Sequence, residues 1–141
     1  MAEGKDGGLR SIFRRKLHTF HWNTIEVGIL GSGIPDNEFC TPTGVQAWIE
    51  FKQTHIFQVK FQPFQAPWLD RRCRYGGNAW IAVRRRPQSQ REAGADELWL
   101  IRGDQALALQ KDGLEYVHAT VWEGGPSHWN FNEIAGQLCN R

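Results

Sequence analysis

The chain has 141 residues, 40% of them apolar and seven of them Trp, enough for one packed core and too few for two. No apolar run approaches the ~18 residues of a membrane-spanning helix and no charged-then-apolar leader opens the chain, so a cytoplasmic protein without a membrane partner is expected. The net charge of +2 conceals blocks of +3 over residues 1–20, −3 over 21–59, +6 over 60–86 and −4 over 87–141.

Residues 1–8, MAEGKDGG, read as a flexible start, and 9–141 as a single domain. From Leu9 the apolar residues Leu9, Ile12, Phe13, Leu17 and Phe20 recur at helical spacing between Arg10, Arg14, Arg15 and Lys16, which predicts a basic amphipathic helix over 9–20. HWNTIEVGIL (21–30) reads as a strand and GSGIPD as a turn, since Pro35 disfavours helix at Ile34. NEFC and VQAWIEFK then form a hairpin around the Pro42–Gly44 turn. Alternation puts Gln46, Trp48, Glu50 and Lys52 on one face of the second strand and Val45, Ala47, Ile49 and Phe51 on the other.

Residues 53–62 read as a connector or irregular strand. A helix should start near Phe64 or Gln65, with Pro67 in its first turn and Gly76-Gly77 as its stop. NAWIAV (78–83) is a buried strand, RRRPQSQREAGAD an exposed polar loop, and ELWLIR a strand. DQALALQ is a short helix capped by Asp104 or Gly103, EYVHATV a strand, and SHWNFNEIAGQLC a closing helix capped by Ser127. This order predicts an α/β domain with a central mixed β-sheet flanked by helices. Cys40, Cys73 and Cys139 are odd in number and lack the close pairing of a zinc site or disulfide framework, so they read as reduced, small apolar side chains.

The acidic block holds the residues that point to chemistry. Asp36 follows a Gly-Ile-Pro turn, and the hairpin brings it beside Glu50, fourteen positions on. Two such carboxylates, with the main-chain carbonyl of Phe51, make half of an oxygen site for Mg²⁺, with Mn²⁺ as a substitute; magnesium keeps its waters and is commonly held by one or two carboxylates plus a phosphate. Lys52 shares the Glu50 face and could orient a water or stabilise charge on a phosphate. The plainer alternatives are that Asp36 closes an Asx-type turn and that Glu50 and Lys52 form a solvated surface pair. Basic blocks on either side would suit a polyanion held over an acidic, cation-requiring centre.

These residues resemble a known signature. IPD followed after thirteen residues by EFK is similar to the motif of the PD-(D/E)xK nucleases. PFQAPWLDRRCRYGGNAWIAVRR resembles the Gln-x-x-Trp helix, Gly-rich turn and strand of VRR-NUC-type and archaeal Holliday-junction-resolvase-like members, small forms of which are frequent in bacteriophage genomes. The resemblance covers residues 9–86 and leaves 87–141 as a C-terminal strand-helix extension.

That resemblance implies a restriction-endonuclease-like core, Asp36 and Glu50 as metal ligands, Lys52 as the catalytic lysine, and Gln65 near the site. It also implies a further acid on the first helix, where this chain has none; Glu26 is the nearest substitute, with Glu3 and Asp6 behind it. Gln53 stands where a small residue is usual and would narrow the phosphate channel. The implied function is a Mg²⁺-dependent DNA endonuclease that hydrolyses phosphodiester bonds by metal-activated water, selective for branched, flap or junction DNA and acting as a possible homodimer. Arg10, Arg14, Arg15, Lys16, Ser32, Arg71, Arg72 and Arg74 would contact the DNA backbone, and Trp48 and Trp68 could stack a base. The alternative is a catalytically inactive module of the same fold that binds DNA or a host protein.

Overall fold

Leu9, Ile12 and Phe13 repeat along one helical face, and all three are buried on α1 (Leu9–Lys16). In the computed structural model, which describes residues 4–26 and 32–140, α1 ends four residues before the predicted Phe20. The chain turns there because the Leu17 carbonyl accepts hydrogen bonds from the Phe20 amide and the Trp22 indole, and the turn lays Phe20 against Phe39. Six strands follow or alternate with three further helices: β1 (His21–Thr24), β2 (Asn37–Cys40), β3 (Gln46–Thr54), α2 (Gln65–Arg74), β4 (Ala79–Arg85), β5 (Glu97–Arg102), α3 (Ala106–Asp112), β6 (Ala119–Trp122) and α4 (Phe131–Leu138). The second half of the predicted 21–30 strand, residues 27–30, lies outside the described residues.

The strands form one sheet in the order β1-β2-β3-β4-β5-β6. Only β3 and β4 run parallel, because α2 crosses over between them; every other neighbouring pair is antiparallel. The sheet is therefore mixed, and helices cover both faces, as the element order predicts. On one face Ala47, Ile49, Phe51, Trp80, Ala82, Leu98 and Leu100 are covered by α1 and α4. On the other Ala79, Ile81, Val83 and Ile101 are covered by α2 and α3 through Ala66, Leu69, Ala106 and Leu109. The C-terminal part thus completes the domain: β5 and β6 widen the sheet, and Phe131 of α4 meets Phe13 edge-on. No helix among the described residues is long and apolar enough to cross a membrane. All three cysteines are free.

Several local expectations need correction. Gly4–Asp6, within the predicted flexible start, form a 3-10 turn, and the Gly7 carbonyl accepts a 2.7 Å bond from Arg84. Arg84 and Arg85 belong to β4 and are buried, not part of an exposed loop. Their charges are met by acids from 87–141: Arg84 forks onto Asp96 at 2.9 and 2.7 Å, while Arg85 reaches Glu97 and Glu92, each at 3.0 Å. Asp104 makes no side-chain cap, since a 3-10 turn over Gly103–Gln105 leads into α3. The cap of α4 is Asn130 rather than Ser127; its side chain accepts the Asn132 and Glu133 amides, while Ser127 contacts His128.

A bidentate pair in a buried setting behaves unlike an exposed one. Asp96→Ala leaves the buried Arg84 guanidinium short of its countercharge and is expected to lower unfolding free energy by about 3 kcal/mol. Asp70→Ala, which removes the exposed i,i+4 pair with Arg74, is expected to cost under about 0.5 kcal/mol. Urea denaturation of the two variants checks the contrast.

Candidate active site

β2 begins at Asn37, opposite Ile49 of β3. Asp36, the residue before it, lies in a bend just beyond the ladder, where its charge acts on Glu50. The hairpin expected to bring the two carboxylates together does so. Because the ladder stops at Asn37, β3 loses its partner on that side just where Glu50 begins. A cleft of about 800 Å³ opens there, lined among others by Asp36, Glu50, Lys52 and Gln65. Phe51 also lines it; its ring is buried against Phe13, so its main chain is what it offers the cleft.

Glu50 is only 7% exposed, which excludes a solvated surface pair with Lys52. Its Oε2 accepts from the Gln65 amide nitrogen at 3.3 Å and lies 3.9 Å from Lys52 Nζ. Its Oε1 is buried with no hydrogen-bond partner. Such an oxygen is costly unless something absent from the protein atoms completes it. Lys52 Nζ donates to Gln65 Oε1 at 2.7 Å and sits 4.9 Å above the Phe61 ring. Gln65 Oε1 also accepts the Gln62 amide at 2.7 Å. Both of those partners can only donate, so the Gln65 NH₂ must face Glu50: one side chain locks the lysine and the carboxylate in place.

The electrostatics follow from burial. Desolvation pushes Glu50 up to about 7; Lys52 and the Gln65 hydrogen bond pull against it, and Asp36 adds to it. Desolvation also lowers Lys52, opposed by Glu50 and Asp36 and helped by Lys5. At neutral pH the cleft therefore holds a carboxyl poised between its two charge states beside a partly desolvated ammonium.

The other predicted residues divide. Ser32 and Arg10 line the cleft. Glu26 is exposed and is not among the described residues that line the cleft. Asp6, ranked behind it, does line the cleft together with Lys5, but its carboxylate accepts the Gly8 and Arg10 amides at 2.9 and 3.2 Å. Glu3 lies outside the described residues. Among the described residues no three His, Cys, Asp or Glu side chains are grouped to share an ion.

Arg14 is turned inward, donating to Thr24 at 2.7 Å and Asn37 at 3.3 Å over the Trp22 ring, and so it holds β1 and β2 to α1. Arg15 and Lys16 are exposed on α1 and take no part in the lining. Arg71, Arg72 and Arg74 stand at the C-terminal end of α2, about 10 Å along its axis from Gln65. Arg72 caps the Trp68 and Trp48 rings at 4.6 and 5.7 Å, and the two indoles meet edge-on. The guanidinium thus occupies one face of each indole.

The residues missed from sequence are Lys5, Gln62 and Phe64, all in the lining, and Asp6 was ranked too low. Gly7 and Gly8, at φ 62° and 78°, fold the preceding turn back toward β3. An acid followed by two glycines before an amphipathic helix is a helix-entry signal that could have found Asp6. No protein-family model matches the chain, and no curated protein matches it significantly.

The raised Glu50 carboxyl carries a stability consequence. The folded chain keeps this proton to about pH 7, whereas the unfolded chain releases it near 4.5. The favourable contribution of protonation is complete below the unfolded value and is lost as pH rises through the folded one. It amounts to roughly 3 kcal/mol at most. Metal-free Glu50→Gln is expected to be more stable than the parent at pH 8 and equal to it at pH 4.5. Urea titrations in chelator at both pH values measure this, and a less stable Glu50→Gln at pH 8 would show that the carboxylate is already satisfied.

Proposed function

We propose that the protein is a Mg²⁺-dependent nuclease that hydrolyses DNA phosphodiester bonds in the cleft beside β3. The observation that carries this reading is the buried, unpartnered Oε1 of Glu50, a residue that lines one cleft with Asp36 and Lys52. A buried carboxylate oxygen with no donor, in a cleft shared with a second carboxylate, is the donor chemistry a hard divalent cation takes, and two carboxylates with a main-chain carbonyl suffice for magnesium. Asp36, Glu50 and the Phe51 carbonyl would hold the ion. When bound, it supplies charge neutralisation and lowers the pKa of water.

The chain's own residues supply the rest. Gln65 fixes the Glu50 carboxylate and the Lys52 ammonium relative to each other, so neither must reorganise when a phosphate arrives. Lys52 spends one N–H on Gln65, and its remaining donors are available to a phosphate oxygen or an attacking water. Arg10 and Lys5 line the same cleft with positive charge suited to a phosphate backbone. The element order α1-β1-β2-β3-α2-β4 carries the Asp, the Glu-x-Lys and the Gln-bearing helix in the succession shared with PD-(D/E)xK nucleases. A homodimer would cut two strands with two sites.

A second reading is favoured by one observation: the cleft brings together two ligating carboxylates, and Glu26 is not among the described residues that line it. In that reading the fold binds DNA or a host protein without hydrolysis.

Labelled duplex, flap and four-way-junction DNA incubated with Mg²⁺ or Mn²⁺ separates the two. The nuclease is expected to cut at least one substrate, and Lys52→Ala to slow cutting about 10²-fold or more. Calorimetric Mn²⁺ binding is expected in the parent and lost in Asp36→Asn. Cleavage unchanged in Lys52→Ala, or no cleavage with no Mn²⁺ binding, overturns the reading.

A further inference from the structure

Phe64 is the only non-glycine residue at positive φ among the described residues, at φ 73° and ψ −9°. A bulky side chain in the left-handed region is strained by about 1 kcal/mol or more, a cost that glycine would avoid. Packing offsets little of this, for the residue is 63% exposed. Two unfavourable choices therefore coincide at one residue, on the rim of the cleft and next in sequence to Gln65.

The backbone around Phe64 holds that conformation. Its carbonyl accepts the Trp68 amide at 3.0 Å, and the Gln65 amide bonds back to Gln62 at 3.2 Å. Gly33, itself at φ 81°, presses against the Phe64 main chain so closely that a Cβ there would meet the Phe64 oxygen at 2.3 Å. These contacts hold the main chain that carries the exposed ring.

We propose that Phe64 is a stacking platform for the base of an unpaired nucleotide next to the bond that is cut. The inference rests on the nuclease reading for its setting and names the substrate class of that site: DNA with a single-stranded or splayed nucleotide, in preference to intact duplex. Lys5, Arg10 and Lys52 line the same cleft. An exposed aromatic face beside three cations suits a ligand that is flat and apolar at one end and anionic at the other, as a nucleotide is. Stacking on such a ring needs a base free of its neighbours, whereas the paired bases of a duplex have their faces occupied. Every base has a π-face, so the preference is for strand state and not for sequence.

The experiment compares the full chain with Phe64→Gly, Phe64→Leu and Phe64→Trp by fluorescence anisotropy in chelator, using a single-stranded oligonucleotide and a blunt duplex of the same length. Phe64→Gly is expected to bind the single strand about tenfold more weakly, to change duplex affinity less than twofold, and to melt no lower than the parent. Phe64→Leu, which keeps an apolar side chain, is expected to show the same selective loss and covers the case in which the glycine variant fails to fold. Phe64→Trp is expected to keep single-strand affinity. Equal loss on both DNAs, or no loss on the single strand in either the glycine or the leucine variant, overturns the stacking role. Phe64-dependent single-strand binding without Mg²⁺-dependent cleavage of any DNA would support the platform and sink the nuclease reading; cleavage whose strand preference is the same in Phe64→Gly does the reverse.

Discussion

The strand β3 carries the constraint on which the site depends. It pairs with β2 through a hairpin on one side and with β4 through a helical crossover on the other. A hairpin partner can be short, and β2 ends its pairing at Ile49 of β3, while the β4 ladder runs on to Thr54. One edge of β3 is therefore released within the sheet, and the residues beyond that point alternate between the two layers. Phe51 goes to the α1 layer, and Glu50 and Lys52 go to the α2 layer, where Gln65 at the start of α2 is the first polar group they meet. The crossover that makes β3 and β4 parallel also delivers this glutamine, so topology and site geometry have one cause.

The charge blocks acquire a different meaning in three dimensions. The basic stretch over 60–86 suggests a polyanion surface, yet Arg84 and Arg85 are consumed by Asp96, Glu97 and Glu92 of the acidic C-terminal part. Arg72 is spent on two indoles. Much of the segregation along the chain is complementarity between β4 and the chain entering β5. The positive charge that remains at the cleft comes from the first helical turns, through Lys5 and Arg10, and from Lys52.

Most of the fold was legible because period and punctuation agree. The β2–β3 hairpin, the start of α2 at Gln65 and the apolar alternation of β4 and β5 all come from patterns that one segment carries alone. That Asp36 and Glu50 share a cleft was legible for the same reason, since the turn at Gly44 sets the register that leads to both. What escaped depends on contacts between distant segments. Arg84 and Arg85 read as loop because three consecutive arginines look solvated until their acids, seven to twelve residues on, fold back over them. Ser127 and Asn130 are both good caps, and only the docking of Ile134 and Leu138 onto the sheet decides which begins the helix. Phe64 read as an ordinary helix entry because φ has no sequence signature when the residue is not glycine.

Like the Glu50 oxygen, buried nitrogens of Arg14, Trp48, Trp80 and Arg85 lack hydrogen-bond partners, but the cleft is where several different mismatches meet. Elsewhere buried charges find partners, as Arg84 does on Asp96 and Gly7, and glycine occupies the other positive-φ positions among the described residues. At the cleft a carboxylate is buried with one oxygen unmet, an ammonium is desolvated beside it, and a phenylalanine stands in a glycine conformation with its ring in water. Two of the three would be relieved by a simple exchange: glutamine for Glu50, glycine for Phe64. Local rules broken together, in one place, by residues with a stable alternative mark a surface shaped for a ligand rather than for the fold. The unmet groups describe that ligand, since the carboxylates ask for a cation, the lysine for an anion, and the ring for a flat apolar face.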